Sequence, residues 1–179
     1  MRVPRDRASG FTLVELMIGI VIVAVLASLA MPSFLDTLRN SEVRNAAESI
    51  TAGMQRARAE AVSRNANVQF VLGAGSSWTV DYEIKPVPGD PPIDSRSSNE
   101  GSRNVTVTAV ALDGATAATT IIFNSLGQPK VGVPATEQLA RIDLAAPRAT
   151  TSLRVTIGVG GNARMCDPAL PAGSSTRAC

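Results

Sequence analysis

Histidine is absent from this sequence, and cysteine occurs only twice, at Cys166 and Cys179. Without histidine there is no Ser-His-Asp or Cys-His nucleophile and no His-ligated metal site. Two cysteines cannot make a four-cysteine zinc site. Aromatic residues are 3% of the chain, with Trp78 and Tyr82 as its single Trp and Tyr, which argues against a base-stacking surface of the usual kind. Charge is nearly balanced, 17 Lys+Arg against 15 Asp+Glu, and no global field points to nucleic acid. Together these absences argue against an enzyme and imply neither cofactor nor metal. What remains abundant is Gly, Ala, Ser, Thr and Val, which suits a small β-rich domain. The 179 residues are enough for one domain and an appendage.

The appendage is at the N-terminus. Residues 1–10 are short and basic, with Arg2, Arg5 and Arg7 against Asp6. Residues 11–31 are nearly all apolar, and no charge falls between Leu16 and Met31. A helix of roughly 20 such residues crosses a bilayer. The basic leader should stay cytoplasmic, which puts the remainder on the far side. Three readings compete: a secretory signal cut after Ser28-Leu29-Ala30, a plain single-span anchor, and a leader cut between Gly10 and Phe11 that leaves the apolar stretch on the mature chain. Glu15 discriminates. A carboxylate inside an apolar span is expensive unless it has a partner, and neither a signal nor an anchor gains from one.

The string Gly10-Phe11-Thr12-Leu13-Val14-Glu15-Leu16 closely resembles the type IV prepilin signature. The resemblance implies a prepilin peptidase that cuts after Gly10 and N-methylates Phe11. Glu15 then becomes the fifth mature residue, and Pro32 falls where pilin helices commonly bend. In a filament, the new ammonium of Phe11 on one subunit can meet the Glu15 carboxylate of its neighbour and set axial register.

Beyond the apolar stretch, Val43, Ala47, Ile50, Met54, Ala57 and Ala61 recur at spacings of four and three, an apolar stripe suited to packing on a sheet. Glu42, Arg44, Asn45, Glu48, Arg56, Arg58 and Glu60 occupy the other faces. The helix is expected to kink or melt locally at Pro32 and to end near 63–67. From Phe11 it would span roughly 80 Å, a stalk carrying a head. About seven strands follow: 68–72 and 78–84 as a hairpin, then 104–111, 119–124, 130–133, 138–144 and 152–159, with a Pro-rich loop over 86–103. Asp90 and Asp94 in that loop read as solvated charges rather than a calcium site. The fold class is α+β. The expected layout is a leader over 1–10, a membrane or filament-core helix over 11–31, its amphipathic continuation over 32–66, and a β-rich head over 67–179.

Phe123-Asn124-Ser125-Leu126-Gly127 and the final strand leading into Gly160-Gly161-Asn162-Ala163-Arg164-Met165-Cys166 make the chain resemble the GspH/FimT group of minor pilins and pseudopilins. That resemblance implies two sheets packed on the helix and a structural role. The subunit would sit in the inner membrane, single-pass with a periplasmic head, until it enters a type IV pilus, or a type II secretion pseudopilus as pseudopilin H. Its partners would be the prepilin peptidase and other pilin or pseudopilin subunits. In an oxidising periplasm a Cys166–Cys179 disulfide is expected, closing a tail with no core of its own; chain-entropy arguments give such a loop about 3 kcal/mol. From Arg141 onward five Arg face only Asp143 and Asp167. Some relatives are implicated in DNA uptake through a Gly-Arg-x-Arg motif, whose counterpart here is Gly161-Asn162-Ala163-Arg164. Asn162 replaces the first Arg. DNA contact through Arg154, Arg164 and Arg177 is therefore weighed against solvated or Asp167-paired arginines, and the latter is favoured.

Overall fold

The computed structural model describes residues 12–179. The leader over 1–10, its Gly10 and Phe11 lie outside the described residues. Contacts divide the chain into two units, Met1–Leu35 and Asp36–Cys179.

One helix, α1 (Leu13–Arg64), runs through both units. Position 32 is helical like its neighbours, so the expected local melting at Pro32 does not occur. Thr12 caps the start: its Oγ1 accepts the Glu15 N–H at 3.2 Å, and its carbonyl accepts the Leu16 N–H. Thr12-Leu13-Val14-Glu15 is thus a capping-box sequence, with the acidic residue also at the favourable pole of the helix dipole. The C-terminus closes with Asn65 at φ 48°, the Asn65 N–H on Val62 O and the Ala66 N–H on Ala61 O. That is a Schellman ending with Asn in place of Gly.

Eight strands follow: β1 (Val68–Leu72), β2 (Trp78–Tyr82), β3 (Asp94–Arg96), β4 (Thr106–Ala111), β5 (Thr120–Phe123), β6 (Leu139–Ala145), β7 (Leu153–Ile157) and β8 (Ala163–Cys166). They form two four-stranded sheets, ordered β3-β2-β1-β5 and β4-β6-β7-β8, with every neighbouring pair antiparallel. Three expectations change. The Pro-rich loop contains β3, which pairs with β2 through Asp94–Val80 to Arg96–Trp78. Residues 130–133 are not a strand; Lys130 bonds its N–H to Ile122 O and the chain then turns. Residues 163–166, read as tail, form β8. Short polar or glycine-flanked segments of this kind carry no two-residue hydrophobic period of their own.

The stripe of α1 is the centre of the core. Val43, Ala47, Ile50, Met54, Ala57 and Ala61 are all buried, together with Phe70, Val80, Ile121, Phe123, Ile142, Leu144 and Val155 from the sheets. The Trp78 indole N–H donates to Ser49 Oγ at 2.8 Å, both residues being buried. A β-carbon on Gly53 would lie 2.9 Å from ring atoms of Phe70 and Trp78, so this helical glycine is where the first hairpin sits down on α1. Glu60 is not on a solvated face as its neighbours suggested. It is 8% exposed and held between Arg56 (2.9 Å) and Arg64 (2.5 Å). Arg64 also donates to the Tyr82 hydroxyl at 2.6 Å, which ties the end of the helix to β2.

The two glycine motifs that flank β5 and precede β8 meet in space. Asn124 Oδ1 accepts the N–H groups of Leu126 and Gln128, and Gly127 turns at φ 74°. Gly161, at φ 79°, lies against it: a β-carbon there would come within 2.8 Å of Gly127 O. Replacing Gly161 by Ala is expected to lower stability by at least about 1–2 kcal/mol from the left-handed backbone alone, with the main-chain clash adding to it. A urea-unfolding midpoint checks this.

Candidate functional site

The first unit carries the segment the sequence marked for assembly. From Leu13 to Met31 its large apolar side chains are exposed, most of them by more than half, and none of the apolar window is buried. It is long and apolar enough to cross a membrane. Its few polar groups are turned inward to the backbone: Ser28 Oγ donates to Val25 O at 2.7 Å and Ser33 Oγ to Ala30 O at 3.1 Å. Such bonds remove hydroxyl donors that hydrocarbon could not satisfy. Glu15 is the one ionic side chain between Leu13 and Met31, in the first turn.

In the second unit the base of α1 is bonded to the β6–β7 connection. Asn40 Oδ1 accepts the N–H groups of Thr150 (2.9 Å) and Thr151 (3.1 Å), and its Nδ2 donates to Thr150 Oγ1. Glu42 takes Arg39 and Asn104 together. Sequence reasoning missed this latch. A lone Asn on a polar helix face gives no sign of a partner 110 residues away.

The tail is closed covalently and electrostatically. Cys166 and Cys179 are disulfide-bonded, with 5.1 Å between their Cα atoms. The Asp167 N–H donates to Arg177 O at 2.7 Å, and Asp167 bridges Ala178. Arg164 spans the same loop, donating to Thr176 O (2.9 Å) and Ala178 O (3.1 Å). Arg154 and Arg141 share one acid, Asp143, at 2.5 and 3.2 Å. Neither Arg164 nor Arg177 pairs with Asp167, whose carboxylate accepts the Ala169 N–H; the Arg177 side chain is exposed. The arginines considered for DNA are therefore largely committed to protein groups. Replacing Arg164 by Ala should loosen the loop without unfolding the head. The expected result is faster hydrogen exchange at the Asp167 and Ala178 amides, with the melting temperature nearly unchanged.

Two carboxylates are held charged at the sheet ends. Contact with Lys130, and then with Asn67, lowers the Glu83 pKa, and bonds from Thr116 lower that of Asp113. Both sit in connections, where they pin loops.

A family model described as type II transport protein GspH matches residues 46–161, and a model of the prokaryotic N-terminal methylation motif matches residues 5–31. The chain belongs to the GspH family. No curated protein matches it. A crystal structure of the type IV minor pilin FimU from Pseudomonas aeruginosa is 21% identical, with a TM-score of 0.50, over 77% of this chain and 95% of that one. A second crystal form of FimU is 15% identical, with a TM-score of 0.46, over 76% and 98%. The first of these shows a shared pilin fold. GspH-family chains are structural pilins and pseudopilins rather than enzymes, and the methylation motif implies processing by prepilin peptidase and association with other such subunits.

Proposed function

We propose that this GspH-family chain is a minor type IV pilin that helps initiate or assemble a pilus. The observation that carries the reading is the joining, by one unbroken helix, of a methylation-motif segment with a wholly exposed apolar face to a GspH head. The fold shared with a type IV minor pilin supports it. In this reading the peptidase cuts after Gly10 and methylates Phe11. The helix rests in the inner membrane with the head in the periplasm, and the freed Phe11 ammonium meets Glu15 of a neighbour in the filament. The disulfide-closed tail suits an oxidising periplasm.

A second reading, a type II secretion pseudopilin, is favoured by the description of the matching family model. DNA contact has less support, since Arg154 and Arg164 are already bonded within the head. Counting surface pili on a deletion strain tests the first reading. Loss of pili, restored by the wild-type chain, is the expected result. Normal pili with impaired export of secreted enzymes would replace it with the second.

A further inference from the structure

α1 contains two glycines, Gly19 and Gly53. Glycine weakens a helix interior relative to alanine, so each asks for a reason. Gly53 has its reason inside the chain, since a β-carbon there would lie 2.9 Å from ring atoms of Phe70 and Trp78. Gly19 has no such reason. Outside its own helical turn, no described atom lies within 4 Å of a β-carbon built there. Its backbone is helical and does not enter the positive-φ region that would require glycine. It is also the only glycine between Leu13 and Met31. What its missing side chain does leave is a groove of about 570 Å³ along the helix, lined by Glu15, Leu16, Gly19, Ile20, Val23 and Ala24.

The lining of this groove says what fits it. It is apolar except at Glu15, the one ionic side chain between Leu13 and Met31. Gly19 is one turn on from Glu15, on the same face. Helical side chains lean toward the N-terminus and cover the turn before their own Cα. Any side chain at position 19 would therefore lie across the approach to the Glu15 carboxylate, and glycine keeps that approach open. The occupant must bring a cation, because a lone carboxylate in hydrocarbon is costly, and must carry an apolar group beside it. A second apolar helix lying flank to flank brings no cation at this depth, since residues 16–31 contain none. A lipid tail would fill the apolar part and leave the carboxylate alone. The N-terminus created by cleavage before Phe11 has both features, an α-ammonium and a benzyl group on one carbon. We propose that the Gly19 notch seats the N-terminal phenylalanine of a neighbouring subunit, with its ammonium on Glu15 and its ring against Gly19. Gly53 uses the same device within the chain, where aromatic rings lie against a helical glycine. The inference rests on the filament reading above and adds to it the residue that admits the neighbour.

The full chain tests it in cells lacking the native copy, supplied as wild type, Gly19→Ala or Gly19→Leu. Both substitutions keep the span apolar, so loss of the leader and the amount in the membrane fraction should match wild type. In filaments sheared from the surface, Gly19→Leu should be absent and Gly19→Ala reduced. A second measurement leaves Gly19 in place. Ile20 lines the groove, whereas Ile18 lies roughly 160° away around the helix. With a photoreactive p-benzoylphenylalanine at position 20, irradiated filaments should yield a product that mass spectrometry maps to the first residue of a neighbouring subunit. The same group at position 18 should not yield it. Incorporation of Gly19→Leu at the wild-type level would overturn the proposal. So would cross-linking from position 20 to the middle of a neighbouring helix or to lipid. In both cases the wild-type chain is still found in filaments, and the assembly reading stands. Absence of the wild-type chain from filaments would instead remove that reading, and the proposal with it.

Discussion

Replacing Phe70 by Ala is expected to lower the stability of the head by about 3–5 kcal/mol. Phe70 is fully buried on β1, which pairs with both β2 and β5, so its ring lies over the middle of one sheet. The Trp78 ring is 5.9 Å away, and Gly53 of α1 lies beneath both. The space left by the ring is hard to refill. Gly53 has no side chain to move into it, and Trp78 is tethered to Ser49. Small domains have stabilities of about 5–15 kcal/mol, so this one truncation removes a large share. Gly53 supplies the companion test. Gly53→Ala alone gains helix propensity of roughly 1 kcal/mol but forces a β-carbon to 2.9 Å from the Phe70 and Trp78 rings, at an expected net loss. In the Phe70→Ala background one of those rings is gone, so the loss should shrink or reverse. A double-mutant cycle by urea unfolding reads the coupling. Additive effects would mean that the helix–hairpin contact is not where the two residues meet.

The parts of this architecture legible in the sequence were those with a strong period. All six residues of the stripe from Val43 to Ala61 are buried, because each turn of a helix on a sheet repeats the same demand, though Ala46, Ser49 and Glu60 widen the buried face beyond it. The first hairpin was legible for the same reason, with alternating Val68, Phe70 and Leu72 running into the turn Gly73-Ala74-Gly75-Ser76. Features made by meetings of distant segments were not. Glu60 belongs by spacing to a polar face, yet it is buried because Arg56, Arg64 and Tyr82 converge there. Asn40 and Ser49 are ordinary helical polar residues until Thr150 and Trp78 arrive beside them. β3 and β8 exist through pairing with stronger neighbours rather than through their own pattern. Arg164 looked like a free cation because nothing in the sequence tells that the chain returns to offer it two carbonyls. At the N-terminus the case is reversed. Short spacings carried the reading, and the structure added the cap: Thr12 and Glu15 serve the start of the helix as well as the motif.

That double use governs the test of Glu15. On the proposed assembly role, Glu15→Ala should abolish incorporation into filaments while leaving the melting of the head unchanged, since Glu15 lies in the other unit. Breaking a buried ion pair by removing one partner costs about 3–5 kcal/mol, which is roughly two to four orders of magnitude in an assembly equilibrium. Ala also removes the third helical residue of a capping box, an effect of only about 0.5–1 kcal/mol. Glu15→Gln separates the two. The bond the structure shows, from the residue-15 main-chain N–H to Thr12 Oγ1, survives the change, and Gln suits the same position of a capping box as Glu does, but it offers no charge to a neighbouring ammonium. If charge pairing sets register, Gln fails as Ala does, and both variants stay in the membrane fraction when filaments are sheared off and blotted. If only the start of the helix matters, Gln incorporates normally and Ala is mildly reduced. The acid is therefore expected to be irreplaceable by its amide, because hydrocarbon makes an unpaired ammonium far more costly than a frayed first turn.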